Sequence, residues 1–85
     1  MKITYPDYFY CPISKKIMFD PYIDKEGNSY EYHNILYWIK GCNAQGVTAM
    51  SPITRNPIHV EDLVPNDSLK KIIDEALIIL ESPIE

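Results

Sequence analysis

Two similar four-residue segments, residues 11–14 (Cys-Pro-Ile-Ser) and residues 51–54 (Ser-Pro-Ile-Thr), constrain the fold of this 85-residue chain. Each contains a small polar residue, a proline, an isoleucine and a hydroxyl residue, and each is predicted to be a loop. Between them, apolar side chains fall at i, i+3, i+4 and i+7, the spacing of one buried helix face. These side chains are Tyr32, Ile35, Leu36 and Ile39. The sequence therefore predicts a central helix with one proline loop before it and one after it.

The same stretch suggests a binding surface. Trp38 lies on the predicted helix but off its apolar stripe. If both loops pack beside the helix, Ile13, Trp38 and Pro52 form one exposed apolar groove. The alternative is that all three belong to the core, since isoleucine and tryptophan are often buried. The repeated loop pattern and the position of Trp38 favour the groove, because large aromatic side chains are typical anchors of binding sites.

The composition predicts one small domain over residues 1–85 and disfavours several classes of partner. A net charge of −4 and a pI near 5.0 argue against nucleic acid and anionic membranes, because phosphate binding needs clustered Lys and Arg. The first residues lack the apolar run of a signal peptide, and no segment approaches the ~18 apolar residues of a membrane-spanning helix. Cys11 and Cys42 are expected to be reduced thiols of an intracellular, cytoplasmic protein.

A short hairpin is predicted before the central helix. Residues 22–24 and 28–30 have the composition of strands, and Gly27 between them supplies a positive φ for the turn. A third strand is predicted at residues 58–60, limited by Pro57.

The ends of the central helix are predicted from its neighbours. Ser29 or Tyr30 is placed near the N-cap, and Gly41 is placed just after the last turn. One further helical turn is predicted at residues 15–18, in front of the Asp-Pro pair that would stop it.

The clearest helix in the sequence follows Asn66, which is a strong N-cap candidate, with Asp67 in the first turn of the helix dipole. Its apolar positions keep helical spacing: Leu69, Ile72, Ile73, Ala76, Leu77 and Leu80. Residues 82–83 (Ser-Pro) are predicted to end it. Ile78 and Ile79 widen the apolar face, which fits either a helix wrapped by a small domain or self-association.

The sequence does not support metal binding, nucleophilic catalysis or phosphate binding. The soft metal ligands are Cys11, Cys42, His33 and His59, and no two lie two to four residues apart as in zinc knuckles, so no metal site is predicted. Cys42 would sit near a helix C-terminus, where the negative end of the helix dipole does not favour a reactive thiolate. No serine or cysteine has a recognisable nucleophile motif, and three scattered glycines form no phosphate cradle.

Taken together, separated segments of the chain resemble a U-box domain, in the order and spacing of that family. The segments are Phe-Tyr-Cys-Pro-Ile-Ser (9–14), Met-Phe-Asp-Pro (18–21), Gly-Asn-Ser-Tyr-Glu (27–31), Trp-Ile (38–39), Ser-Pro-Ile-Thr-Arg-Asn-Pro-Ile (51–58), Leu-Val-Pro-Asn (63–66) and Leu-Lys (69–70). The resemblance covers about residues 8–77. It implies a small α+β, RING-like fold: a short three-stranded antiparallel sheet, a central helix, two proline loops and a C-terminal helix.

A U-box resembles a RING domain without zinc, and its two proline loops correspond to the zinc loops. The ligand-equivalent positions fall on Cys11, Ser14, Glu26, Asn28, Glu31, Asn34, Ser51 and Thr54. Among these only Cys11 retains a cysteine or histidine, the residues that hold zinc in a RING domain. The resemblance implies that the other seven bridge the loops by hydrogen bonds and salt bridges. Lys15, Lys16 and Arg55 are candidate partners for the two glutamates. Asn28 departs from the histidine often found at its position.

The resemblance implies a ubiquitin-protein ligase module. Such a domain binds a ubiquitin-conjugating enzyme charged with ubiquitin and promotes transfer to a lysine of a protein substrate, with no covalent ligase intermediate and no cofactor. Residues carried over as the conjugating-enzyme contact are Ile13, Lys15, Trp38, Pro52 and Arg55. A homodimer through the C-terminal helix is an open expectation. The alternative is a non-catalytic U-box-like module for protein interaction or dimerisation.

Arg55 has a separate expected role. It directly follows the last ligand-equivalent position, where an arginine in this family bridges the conjugating enzyme and ubiquitin. A planar guanidinium with several donors suits two-sided hydrogen bonding better than lysine does. The alternatives are a solvated loop charge or a structural partner of Glu31. The expected catalytic role is positioning of the thioester, with no acid–base chemistry.

Overall fold

The computed structural model of the chain describes the backbone of residues 5–81 and the side chains of residues 5–77. Three short strands form one antiparallel sheet in the order β2-β1-β3, with β1 at Pro21–Ile23, β2 at Ser29–Glu31 and β3 at Val64–Pro65. Gly27 turns the β1–β2 hairpin with a φ of +89°, a conformation that costs glycine little. The predicted hairpin and the small α+β fold class are confirmed.

The central helix, α1, spans Tyr32–Ala44 and is longer than predicted. Its N-cap is Glu31, so the predicted caps Ser29 and Tyr30 are wrong because both residues belong to β2. Gly41 lies inside the helix, and the chain leaves it at Gly46, whose φ is +76°. The backbone N–H groups of Gly46 and Val47 bond back to the carbonyls of Asn43 and Cys42, which is the Schellman motif.

Two short predicted elements are absent from the described part of the chain for the same reason: their backbone groups close the proline loops. The N–H of Ile58 donates to the carbonyl of Ala49, next to the bridge that closes the second loop, and Val60 already begins a 3₁₀ helix at Val60–Asp62, so residues 58–60 form no strand. The third strand is β3 instead, which pairs with β1. The predicted helical turn at residues 15–18 is also wrong, because Lys15 has a φ of +64° and Ile17 bridges to Tyr10.

The second helix, α2, spans Asp67–Glu81. The side-chain oxygen of Asn66 accepts a hydrogen bond from the N–H of Leu69 at 3.2 Å, which confirms the predicted N-cap. Leu69 and Ile73 are buried, whereas Ile72 is exposed. The predictions on the side chains of Ile78, Ile79 and Leu80 and on the stop at residues 82–83 fall outside the described residues.

The core joins both helices, the hairpin and both proline loops. Its buried apolar residues are Phe9, Cys11, Met18, Tyr30, Ile35, Ile39, Ala49, Ile58, Leu63, Leu69 and Ile73. Cys11 and Cys42 are both free thiols, as expected from the sequence. Neither helix, over the residues described, has the length and hydropathy needed to cross a bilayer. Because both loops contribute to one core, their exposed tips are held in fixed positions on its surface.

Candidate functional site

The two proline loops have the same backbone. The N–H of Lys15 donates to the carbonyl of Cys11 at 2.8 Å, and the N–H of Arg55 donates to the carbonyl of Ser51 at 2.9 Å. Lys15 and Arg55 also share a left-handed conformation, with φ of +64° and +66°. Each loop is closed by an isolated β-bridge, Tyr10 to Ile17 and Met50 to Pro57. The similarity seen in the sequence is therefore a structural repeat.

Three of the predicted contact residues lie together beside the second loop. Trp38, Pro52 and Arg55 line one pocket of about 390 Å³, with Met50 and Ser51 completing its wall. The indole Nε1 of Trp38 donates to the carbonyl of Met50 at 2.8 Å, and 39% of the Trp38 surface is exposed. This hydrogen bond fixes the ring against the loop. Trp38 therefore presents a rigid aromatic surface to solvent.

Met50 extends this surface and was not singled out from the sequence. It is exposed at the edge of the same pocket, directly before the second proline loop. An unbranched thioether adapts its shape to a partner more readily than a branched side chain does. Its position next to residues 51–54 was the only signal available in the sequence, and that signal was weak.

The first loop contributes differently. Ile13 is half-buried and packs against the core, and its N–H donates to the thiol sulfur of Cys11 at 3.4 Å. Lys15 is exposed and borders a separate pocket beside Tyr10 and Pro12. Neither Ile13 nor Lys15 lines the pocket that holds Trp38. The structure thus groups Trp38, Pro52 and Arg55 and places Ile13 and Lys15 on the neighbouring loop.

A buried hydrogen-bond network supports the second loop from below. The hydroxyl of Tyr30 donates to Asp24 Oδ2 at 2.9 Å and lies 2.9 Å from Ser51 Oγ. Because the single Tyr30 proton is used on the carboxylate, the Ser51 hydroxyl must donate to Tyr30. The Ser51 oxygen then accepts the N–H groups of Ile53 and Thr54 at 3.1 and 3.2 Å. Every donor and acceptor in this arrangement has a partner.

Tyr30 has a perturbed pKa in this network. Burial raises the pKa of Tyr30 to about 12; the hydrogen bond to Ser51 opposes this rise, and the hydrogen bond and charge of Asp24 add to it. Asp24 and Tyr30 were predicted only as parts of the hairpin. Their role escaped the sequence because Ser51 lies 21 residues from Tyr30 along the chain.

Glu26, on the hairpin turn, reaches the same loop from its exposed side. Its Oε1 accepts the hydroxyl of Thr54 and its Oε2 accepts the amide of Asn56, both at 2.6 Å. The neighbouring Lys25 pairs with Asp62 at 3.3 Å. Asn56 was missed from the sequence, where it was only part of the family pattern. The predicted bridging pair Glu26 and Thr54 does link the hairpin to the second loop.

Glu31 holds the end of the first loop. Its buried carboxylate accepts the backbone N–H groups of Phe19 and Asp20 at 2.8 and 3.1 Å, and His33 Nδ1 lies 3.6 Å away. The predicted partners of the two glutamates, Lys15, Lys16 and Arg55, are wrong over the described residues. Hydroxyl, amide and backbone donors take their place, because the two carboxylates face loop backbone and short side chains.

The three remaining predicted bridging residues act locally. Ser14 accepts the N–H of Lys16 at 3.3 Å within its own loop. Asn28 bonds through its backbone, since its N–H donates to Asp24 Oδ1 and its carbonyl accepts the N–H of Asp24, both at 2.9 Å. Asn34 lies beside Ser14 and Glu31 at a pocket of about 280 Å³. In the part of the chain that is described, His, Cys, Asp and Glu side chains form no group of three suited to a metal ion.

Comparison with known proteins agrees with this architecture. The U-box domain family matches residues 5–78. The chain belongs to the U-box family. U-box domain-containing protein 70 of Oryza sativa subsp. japonica is 42% identical over 72 residues, which cover 85% of this chain and 8% of that protein. E3 ubiquitin-protein ligase PUB24 of Arabidopsis thaliana is 36% identical over 73 residues, which cover 85% of this chain and 15% of that protein.

The fold of this U-box also matches a solved structure. The RING finger-like domain of Retinoblastoma Binding Protein-6 superposes with a TM-score of 0.78 at 20% identity, covering 95% of this chain and 86% of that one. At this identity the match shows the RING-like fold alone. The chain spans less than a fifth of the length of the two relatives named above.

Proposed function

We propose that this U-box is a ubiquitin ligase module that binds a ubiquitin-charged conjugating enzyme and promotes transfer of ubiquitin to a substrate lysine. The observation that carries the proposal is the pocket where Trp38, Pro52 and Arg55 meet. Family membership supports it, as do relatives named E3 ubiquitin-protein ligases. The partners are then a conjugating enzyme, ubiquitin and a protein substrate.

The apolar part of the pocket supplies binding. Trp38 is fixed by its bond to Met50 and keeps part of its ring exposed, so little side-chain entropy is lost when a partner covers it. The ring of Pro52 is also rigid, so this residue too loses little conformational entropy when a partner binds. Ile13 on the neighbouring loop extends the contact, and Lys15 lies at its rim. An apolar segment of the conjugating enzyme would fill this surface.

Arg55 supplies positioning. Its side chain is exposed at the edge of the pocket and makes no hydrogen bond or ion pair with any other described residue. Its several donors are therefore available to the conjugating enzyme and ubiquitin at once. Holding the thioester in one reactive arrangement accelerates attack by the lysine without any proton transfer by the ligase.

The test is discharge of ubiquitin from a charged conjugating enzyme to free lysine, with binding of the uncharged enzyme measured in parallel. We expect Ile13→Ala to lose both binding and discharge. Arg55→Ala should keep binding and lower discharge about tenfold or more. Lys71→Ala, an exposed cation on α2, is the matched control and should behave as wild type.

Two outcomes would contradict the proposal. Absence of any acceleration by the wild-type domain across a broad panel of conjugating enzymes would leave the non-catalytic interaction module as the better explanation. Equal discharge by Arg55→Ala and wild type would remove the positioning role of Arg55.

A further inference from the structure

The two residues that flank Arg55 are both held by one carboxylate. Thr54 Oγ1 and Asn56 Nδ2 donate to separate oxygens of Glu26 at 2.6 Å each. Glu26 lies on the turn between β1 and β2, 28 and 30 residues away in sequence. Its backbone is itself fixed, because its N–H donates to Asp24 Oδ1 at 2.9 Å. The loop at Arg55 is thus tied to a rigid hairpin.

Arg55 needs such support. Its φ of +66° is a left-handed conformation that is sterically unfavourable for an L-residue with a side chain. Within the described residues no hydrogen bond or ion pair holds its guanidinium, so the backbone around Arg55 sets only the Cα–Cβ direction in which the side chain leaves the loop. Any relaxation of Thr54 or Asn56 would shift the region that the guanidinium can reach.

The first loop provides an internal comparison. Ser14 Oγ accepts the N–H of Lys16 at 3.3 Å, and Thr54 Oγ1 accepts the N–H of Asn56 at 3.3 Å, so the local turn is the same. No carboxylate among the described residues bonds to the side chains that flank Lys15. The Glu26 clamp is therefore an addition to the loop that carries the arginine, and is not a requirement of the turn itself.

We propose that Glu26 is a positioning residue that fixes where the Arg55 side chain leaves the second proline loop, by holding Thr54 and Asn56 on either side of it. This inference rests on the proposed ligase function. Glu26 touches neither partner; it acts on the arginine through the loop. Its loss should lower the rate of transfer at saturating conjugating enzyme and leave the affinity for that enzyme unchanged.

The first test is Glu26→Ala in the discharge assay, with the rate at saturation and the dissociation constant measured separately. We expect the rate at saturation to fall about tenfold, approaching Arg55→Ala, and the dissociation constant to stay within about twofold of wild type. Glu61→Ala, another exposed acidic residue outside the clamp, is the matched control and should change neither quantity.

An exchange of charge makes the test specific. Asn56→Asp places a carboxylate where the amide now donates to Glu26 Oε2, so the two anions repel and the rate should fall. Adding Glu26→Gln restores the pair with its polarity reversed, since the new amide donates to the new carboxylate and its oxygen still accepts the Thr54 hydroxyl. The double variant should recover to within about threefold of wild type.

The outcomes separate this inference from the function on which it rests. If wild type fails to accelerate discharge, the proposed function falls and Glu26 has nothing to position. If wild type is active and Arg55→Ala is not, but Glu26→Ala matches wild type, the positioning role alone is overturned. A parallel loss of affinity, or no recovery in the double variant, would also overturn it. Should Glu26→Ala not fold, the Asn56→Asp pair decides, because Asn56 is exposed.

Discussion

The two proline loops share a backbone but are attached to the domain by different groups. The first loop begins at Cys11, which is fully buried in the apolar core. The second begins at Ser51, which is also buried and whose hydroxyl enters the network of Tyr30 and Asp24. One turn geometry can thus be supported by apolar packing or by a satisfied polar network. The polar support and the Glu26 clamp both belong to the loop that carries Arg55.

The largest expected loss of stability follows from breaking the hydrogen-bond network that supports the second loop. Tyr30→Phe removes one hydroxyl, which leaves Asp24 Oδ2 without a donor and the proton of the Ser51 hydroxyl without an acceptor in a buried site. We expect the free energy of unfolding to fall by about 2–3 kcal/mol in urea denaturation. Tyr32→Phe is the control, because Tyr32 stacks on Tyr22 and its hydroxyl makes no hydrogen bond within the described residues. An equal fall in the free energy of unfolding for Tyr30→Phe and Tyr32→Phe would contradict the role of Tyr30 in the buried network.

The same network predicts a pH dependence. Tyr30 holds its proton up to a pKa of about 12 in the folded chain, against about 10 when unfolded. Its contribution to stability is therefore fully present below pH ~10 and is lost as the pH rises through ~12. The stability difference between wild type and Tyr30→Phe should narrow between pH ~10 and ~12. The raised pKa of Tyr22, caused first by burial and then by Asp20, affects both proteins equally.

A parallel decline of the two proteins over that range would mean that Tyr30 titrates as an ordinary tyrosine. It would also mean that the hydroxyl is not held in the buried network.

A smaller effect tests the apolar support of the first loop. Cys11→Ser introduces a hydroxyl whose oxygen can accept the N–H of Ile13 as Ser51 does for Ile53, but whose proton has no acceptor in that apolar site. We expect a loss of about 1–2 kcal/mol by denaturation. Cys42→Ser, at a half-buried thiol, is the control and should lose less. If the two variants lose the same amount of stability, the two loops are interchangeable at their first residue.

The left-handed position of the first loop should tolerate glycine. Lys15→Gly removes the steric cost of a φ of +64°, partly offset by the greater freedom of glycine in the unfolded chain, for a net gain of about 0.5–1 kcal/mol. Lys15→Ala retains a Cβ and should leave the melting temperature nearly unchanged. Destabilisation by Lys15→Gly would show that the lysine side chain itself supports the loop.

Zinc removal should have no effect. The positions that the family resemblance aligns with RING ligands hold serine, glutamate, asparagine and threonine besides Cys11. Both carboxylate oxygens of Glu26, Oε1 of Glu31 and the hydroxyl of Ser51 are already engaged in hydrogen bonds. A chelator should leave the melting temperature unchanged, and elemental analysis should find no stoichiometric zinc. Zinc at one atom per chain would contradict the hydrogen-bonded account of both loops.

Features that depend on neighbouring residues were predictable. The hairpin turn at Gly27 and the N-cap at Asn66 follow from local backbone preferences, and both are confirmed. The repeated loops and the helix spacing singled out Trp38 and Pro52, and the family resemblance added Arg55. The structure places these three around one pocket. Their functional roles stay predictions until the discharge assay is performed.

Tertiary structure decided which distant groups meet. The sequence determined two equivalent loops, an apolar helix face and short polar side chains where a metal would otherwise be held. It left open whether the N–H of Ile58 would bond to a strand or to Ala49, and whether Glu26 would meet a lysine or the pair Thr54 and Asn56. Both answers depend on contacts between segments distant in sequence, since hydrogen-bond partners are chosen by proximity in the folded chain. Local spacing carries no information about that proximity.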